Sequence, residues 1–362
     1  MILWNQKPSP KIVFAATPDR PFFSELWHDS ARNAAEKLGF EVTLVEEASS
    51  LADRHWDKLL EEADGVITTW MSPRIDRKIL HRNRRLRIVG HAAGSVADYV
   101  SPELFDAGIK VTTANDLMAQ AVADWCLTMT LVGLRRLTDC AGFAGRTELR
   151  WDRRAHATFI QEAKIGICGF GAVAAHLLPM LAPLRCREIM VHSGHLSAAA
   201  AAAAGMRKVE LEELFSEADA VVLLNALTAQ TIHLIGRREL SLLRDGAVLI
   251  NGGRGKLIEE QALYEALAQR RFTAIFDVYH QEPPAADCPL LTMPNVILTP
   301  HNAGRPSRSG YIGLILEEFH RFFSGEPLRY EITRERAGQM SANLAGDDLA
   351  KQMTGAAAGH GL

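Results

Sequence analysis

Lys164–Leu178 reads KIGICGFGAVAAHLL, and the fold turns on this stretch. A short apolar run, Ile165–Cys168, leads into Gly169-Phe170-Gly171 and then an alanine-rich segment of helical character. The order is strand, tight turn, helix. Gly169, Gly171 and Ala174 stand at the three diagnostic places of a G-x-G-x-x-A pattern. The first glycine permits the turn, the second lets a pyrophosphate approach the backbone, and the small third residue lets the helix pack on the strand. The helix start adds unpaired N–H groups and a positive dipole end. The backbone of Gly169, Phe170, Gly171, Ala172 and Val173 is therefore the expected phosphate cradle of a dinucleotide.

Downstream, the chain continues in strand–helix steps. Strands are expected at Glu188–His192, Ala220–Leu224, Ala247–Asn251, Thr273–Val278 and Val296–Thr299. Helices are expected at Ala198–Ala204, Leu211–Ala218, Glu259–Ala268 and Tyr311–Phe323. Upstream, apolar runs at Lys11–Ala16, Phe40–Val45, Gly65–Trp70, Leu86–His91 and Ile109–Thr113 alternate with helical stretches, of which Ser24–Leu38 is the first. Such alternation argues parallel sheets covered on both faces. Asn115–Leu137, apolar on more than one face, joins the halves as a helix buried at a domain or subunit boundary. Arg77–Arg87 (RKILHRNRRLR) carries basic charge without an aromatic platform, which suits a solvated helix and loop better than a nucleic-acid surface.

Composition sets the bounds. The 362 residues suffice for two domains, and 48% hydrophobic with 23% charged residues is a usual globular balance. A net charge of −3 gives no global field for nucleic acid or an anionic membrane. No apolar run is expected to reach membrane-spanning length, and MILWNQKPSPKIVFAA does not read as a signal peptide. The five cysteines, Cys126, Cys140, Cys168, Cys186 and Cys288, are scattered without a C-x-x-C pair. They suit reduced thiols in a cytoplasmic protein. No metal centre is expected.

Ligands of such sheets bind beyond the carboxyl ends of the strands. Arg254, Glu282 and His301 sit at or just past such ends. Hydride transfer on a 2-hydroxy or 2-oxo acid needs an Arg fork to hold the carboxylate and polarise the carbonyl. It needs a group titrating near neutrality, for which His is suited, and gains from a carboxylate beside it. Singly each residue has a structural reading; together they point to this chemistry. His91-Ala92-Ala93-Gly94-Ser95-Val96 follows another strand and reads equally as a carboxylate-binding turn or an ordinary one.

Three segments in order now carry a resemblance. Ile250–Arg254 with the helix after it, Phe276–Pro283 (FDVYHQEP) and Leu298–Gly304 (LTPHNAG) resemble the I-N-x-x-R-G, D-V-x-x-x-E-P and T-P-H-x-x-G segments of the D-isomer-specific 2-hydroxyacid dehydrogenases. The glycine loop fits, and Ala119–Leu137 resembles the family's subunit-contact helix; the likeness covers about residues 85–330. It implies an α/β protein of two Rossmann-like doubly wound parallel-sheet domains. A nucleotide domain, 117–301, would be inserted into a flavodoxin-like substrate domain, 1–116 and 302–335, with the site in the cleft. Residues 336–362 would form a poorly ordered tail.

By the family pattern Arg254 binds substrate, His301 is the acid/base and Glu282 pairs with it. Ala93, Gly94 and Ser95 would take the other side of the substrate carboxylate. Besides the phosphate cradle, cofactor contacts would come from Ser193, His195, Asn225, Gly252, Gly253 and Gly304, with Asp277 at the nicotinamide carboxamide. The partners implied are a small oxo or hydroxy acid, NAD(P)H and a second copy of the chain, with no nucleic acid or membrane. Asp124 replaces the family's usual Glu, and Leu223–Thr228 lacks its usual His and Pro. Ser193 stands where NAD-specific members carry Asp, so nothing there repels a 2′-phosphate and NADP is favoured. The reading from another class is a nucleotide-sensing binding protein on the same fold, like the C-terminal binding protein corepressors. A formate dehydrogenase is a third.

Overall fold

The computed structural model describes residues 9–16, 22–44, 59–137 and 157–342. These fall into two units, one from Met1–Met118 with Arg305–Asn343, the other from Ala119–Gly304.

The first unit is built on five parallel strands, β1 (Lys11–Phe14), β2 (Glu41–Leu44), β3 (Gly65–Thr68), β4 (Ile88–His91) and β5 (Lys110–Thr113). Their order, β2-β1-β3-β4-β5, is the flavodoxin-like one. Successive side chains along a strand point to opposite faces. Ile12 and Phe14 accordingly join Ile67, Ile88 and the helix Tyr311–Phe323 in one core, while Val13 and Ala15 join Val66, Val89 and Val111 in another. Gly90 sits under that helix; a Cβ there would run into Ile315 and Phe319. His91, at the end of β4, is wholly buried, with Nδ1 3.0 Å from Thr68 Oγ1 and its ring stacked 4.3 Å from Tyr99. Burial pushes its pKa down to about 3, so the ring is neutral.

Three expectations are corrected here. Ser24–Leu38 is two helices, Phe23–Leu26 and Asp29–Lys37. The break follows from capping, since His28 Nδ1 accepts the Ser30 N–H and starts the second helix. The segment after residue 335 does not begin as a tail. Arg334–Gly338 is a helix whose Thr333 cap accepts the Arg336 N–H, and Ala337 and Met340 are buried in the first unit's core. Residues 343–362, like Cys140, lie outside the described residues. Finally, Asn115–Leu134 is a helix long and apolar enough, by length and composition, to cross a membrane. Its Ala123, Trp125, Cys126 and Leu134 are core residues of the second unit, and Gln120, Asp124 and Thr128 form an exposed polar line. The Arg77–Arg87 stretch is a helix, Arg77–Arg82, capped by Asp76, and then a loop.

The second unit has seven parallel strands: β6 (Lys164–Cys168), β7 (Glu188–His192), β8 (Arg207–Lys208), β9 (Ala220–Leu223), β10 (Val248–Asn251), β11 (Thr273–Phe276) and β12 (Val296–Leu298). Their order is β12-β11-β10-β9-β6-β7-β8. The chain starts at β6, winds outward to β8, then returns to β9 on the other side. The reversal opens the crevice where doubly wound sheets bind ligands, beyond the carboxyl ends of β6 and β9. β10, β11 and β12 are neighbours in register, Asn251 beside Phe276 and Phe276 beside Leu298, so their carboxyl ends lie side by side.

Candidate active site

Gly169 follows β6 with φ +95°, a conformation that costs a residue with a Cβ. A Cβ there would also lie 2.6 Å from the Asn225 backbone nitrogen. Gly171 is different. It is the N-cap of Ala172–Leu181 in ordinary extended backbone, and a Cβ on it would meet nothing within 4 Å. Glycine at 171 therefore serves close approach from outside, not internal packing. No side chain caps this helix and its first turn holds no acidic residue. The first-turn N–H groups, with Phe170 and Val173 partly exposed around them, thus fit a pyrophosphate, while Ala174 is fully buried against the sheet. Asn225 follows β9, and Gly253 packs against its carbonyl as Gly169 does against its amide. At the end of β7, Ser193 is buried and its Oγ accepts the His195 N–H at 3.3 Å; His195 itself is exposed.

Arg254 ends the turn after β10. A residue outside the sequence-derived set shapes this turn: Asn251, 1% exposed, accepts the Gly253 N–H at 3.0 Å and donates Nδ2 to the Arg254 carbonyl at 2.9 Å. Arg254 Nη1 donates to the Gly253 carbonyl. Glu282 lies beyond β11. Its Oε1 accepts the Tyr279 N–H at 3.0 Å and its Oε2 is hydrogen-bonded to His301 Nδ1. The opposite ring nitrogen, Nε2, has no hydrogen-bond partner among the described residues. Burial pushes the Glu282 carboxyl up. The His301 hydrogen bond and charge, the Tyr279 N–H and the Arg254 charge outweigh it, leaving the group below the usual carboxylate range. The ionised carboxylate thus favours the folded state at neutral pH, and that contribution is lost as pH falls through the lowered value.

His301 itself has φ +48°, which is uncommon for a residue with a Cβ, costs about 1–3 kcal/mol and persists only where the surroundings impose it. They do. Its N–H donates to the Thr299 carbonyl at 3.0 Å. Asp277, 2% exposed, accepts from Thr299 Oγ1, the Asn302 N–H and the Ala303 N–H. Asp277, given to the cofactor's carboxamide by resemblance, thus has its carboxylate largely engaged in holding the His301 turn. Gly304 closes the same segment.

In the first unit, Thr113 Oγ1 donates to the carbonyls of Ala93 and Gly94, both at 2.8 Å. In trans peptides the following N–H groups, of Gly94 and Ser95, then point the opposite way. Neither has a protein acceptor among the described residues. The Ser95 hydroxyl donates to the Ser341 carbonyl and accepts the Ala97 N–H, so the turn is pinned.

Residues 127–303 match the family profile of the D-isomer specific 2-hydroxyacid dehydrogenase NAD-binding domain. The chain is similar to a glyoxylate reductase of Thermococcus gammatolerans, 33% identical, with 74% of this chain and 83% of the relative covered. It is 28% identical to a D-3-phosphoglycerate dehydrogenase of Methanocaldococcus jannaschii, where 82% of this chain matches but spans only 57% of the relative. Among solved structures it resembles the TT0316 protein of Thermus thermophilus, with TM-score 0.71, 25% identity, and 89% and 100% of the two chains covered. With two parallel α/β units, a glycine cradle at the sheet's reversal and three segments in the family's order, the chain belongs to the D-isomer specific 2-hydroxyacid dehydrogenase family.

Proposed function

We propose that this dehydrogenase interconverts a D-2-hydroxy acid and its 2-oxo acid, with Arg254, Glu282 and His301 as its catalytic residues. The observation that carries the reading is the Glu282–His301 hydrogen bond beside the Arg254 turn, on three adjacent strand ends. The Arg254 guanidinium binds the carboxylate and polarises the neighbouring carbonyl, which its fixed fork of donors suits. In the first unit the Gly94 and Ser95 N–H groups suit an anion such as a carboxylate. The backbone of residues 169–173 would hold the cofactor's pyrophosphate, and the nicotinamide would supply or accept the hydride. In reduction His301 gives the Nε2 proton to the oxygen that gains negative charge, and in oxidation it takes that proton back. Glu282, ionised, fixes the ring through Nδ1.

We read the cofactor as NADP(H) in preference to NAD(H). The Ser193 hydroxyl replaces a carboxylate that would repel a 2′-phosphate, and exposed His195 lies beside it. The test follows reduced-nicotinamide absorbance with NADPH and NADH against glyoxylate, hydroxypyruvate, pyruvate, a branched and an aromatic oxo acid. One acid is expected to be turned over, faster with NADPH, and Ser193→Asp should raise the NADPH KM about tenfold or more and reverse the preference. Oxidation with none of the acids would remove the substrate class. An unchanged preference in Ser193→Asp would remove the cofactor assignment.

The working form we propose is a cytoplasmic homodimer. Val122, Leu127, Met129 and Val132 of Asn115–Leu134 are only partly buried within one chain, which suits a second copy packing there. Light scattering should give twice the 39.8 kDa chain mass; a monomer at working concentration would exclude this.

A further inference from the structure

Arg254, Glu282 and His301 come from three separate loops, and one residue touches all three loops, through its hydroxyl, its backbone N–H and its carbonyl. Tyr279 lies in the loop after β11, at a place the D-V-x-x-x-E-P pattern leaves open. Its hydroxyl donates to the Thr299 carbonyl at 2.7 Å, on the β12 side. That same carbonyl accepts the His301 N–H, so the phenol braces the acceptor on which the left-handed turn closes. Its N–H donates to Glu282 Oε1 within its own loop. On the β10 side its carbonyl packs against Gly255, where a Cβ would collide with it. The next residue adds a second tie in that direction, His280 Nε2 lying 2.7 Å from the Ile258 carbonyl.

We infer that Tyr279 is a positioning residue, holding the His301 turn and the Glu282 loop in register with the Arg254 turn. The inference rests on the acid/base reading above. Glu282 reaches His301 across two loops, so the pair is only as well aligned as the loops are fixed relative to each other. Small misplacements of reacting groups cost rate steeply. The phenol suits the task because it remains a donor. Burial, the charges of Asp277 and Glu282, and the Cys288 thiol push its pKa up to about 12.

The experiment is Tyr279→Phe, which keeps the ring and removes only the donor. The expected result is kcat lowered about three- to tenfold, with oxo-acid KM and cofactor Kd held within about twofold. Histidine NMR, with His301→Asn identifying the signal, should show a displaced His301 ring signal without turnover. Parallel assay of His301→Asn separates the two levels. If His301→Asn abolishes activity while Tyr279→Phe keeps wild-type kcat and an unmoved His301 signal, the positioning role is overturned and the acid/base reading stands. If His301→Asn is as active as wild type, the acid/base reading falls and this inference with it. If Tyr279→Phe loses activity only in step with its folded fraction in thermal unfolding, the role is structural and the inference is again overturned.

Discussion

Replacing Arg254 by alanine should lower kcat/KM for the oxo acid about 10³-fold, near 4 kcal/mol of transition-state binding. The size follows from what the group would do in each state. In the ground state it pairs with a carboxylate that could also hold water. As hydride arrives, the carbonyl oxygen gains negative charge beside a guanidinium already oriented for it, so part of the loss falls on kcat and part on KM. The turn itself should survive, because Asn251 holds it through backbone groups, the Gly253 N–H and the Arg254 carbonyl. Cofactor Kd should therefore change little. Arg254→Lys should recover only a small part of the rate, since a point charge replaces a planar fork. Steady-state kinetics with fluorescence titration of the cofactor reads both quantities. An alanine variant with unchanged turnover and KM would end the role assigned to Arg254.

What the amino-acid sequence shows of this fold and site divides by distance along the chain. Features set by neighbours along the chain were legible. The glycine turn after β6, the apolar strand cores and each of the three segments taken singly follow from residues close together in the chain. What was not legible depends on which strand lies beside which. Asp277 holds the Asn302 and Ala303 N–H groups 25 and 26 residues away, only because β11 and β12 are paired. Tyr279 reaches Thr299 by the same pairing, and Gly255 meets Tyr279 because β10 pairs with β11. Asn251 was half legible: its Gly253 partner is two residues on, but nothing local shows a buried amide clasping that turn. The start of the C-terminal segment was misread for a related reason. Polar, small residues surround Ala337 and Met340, and their burial needs the first unit's core, whose strands lie more than two hundred residues earlier.

His301→Asn should lower kcat about 10²- to 10⁴-fold in both directions while substrate and cofactor still bind. Asn keeps a hydrogen-bonding group of similar polarity but neither delivers nor accepts a proton near neutrality. Glu282→Gln should be milder, about tenfold in kcat, because the amide can still meet Nδ1 but carries no negative charge. A general loss of fold would instead lower thermal stability and cofactor binding together with the rate. The double variant completes the argument. Because Glu282 acts through the ring, His301→Asn with Glu282→Gln should be no slower than His301→Asn alone. A double variant slower by the product of the two single effects would show that the carboxylate acts on the substrate independently, and the paired acid/base would have to be abandoned.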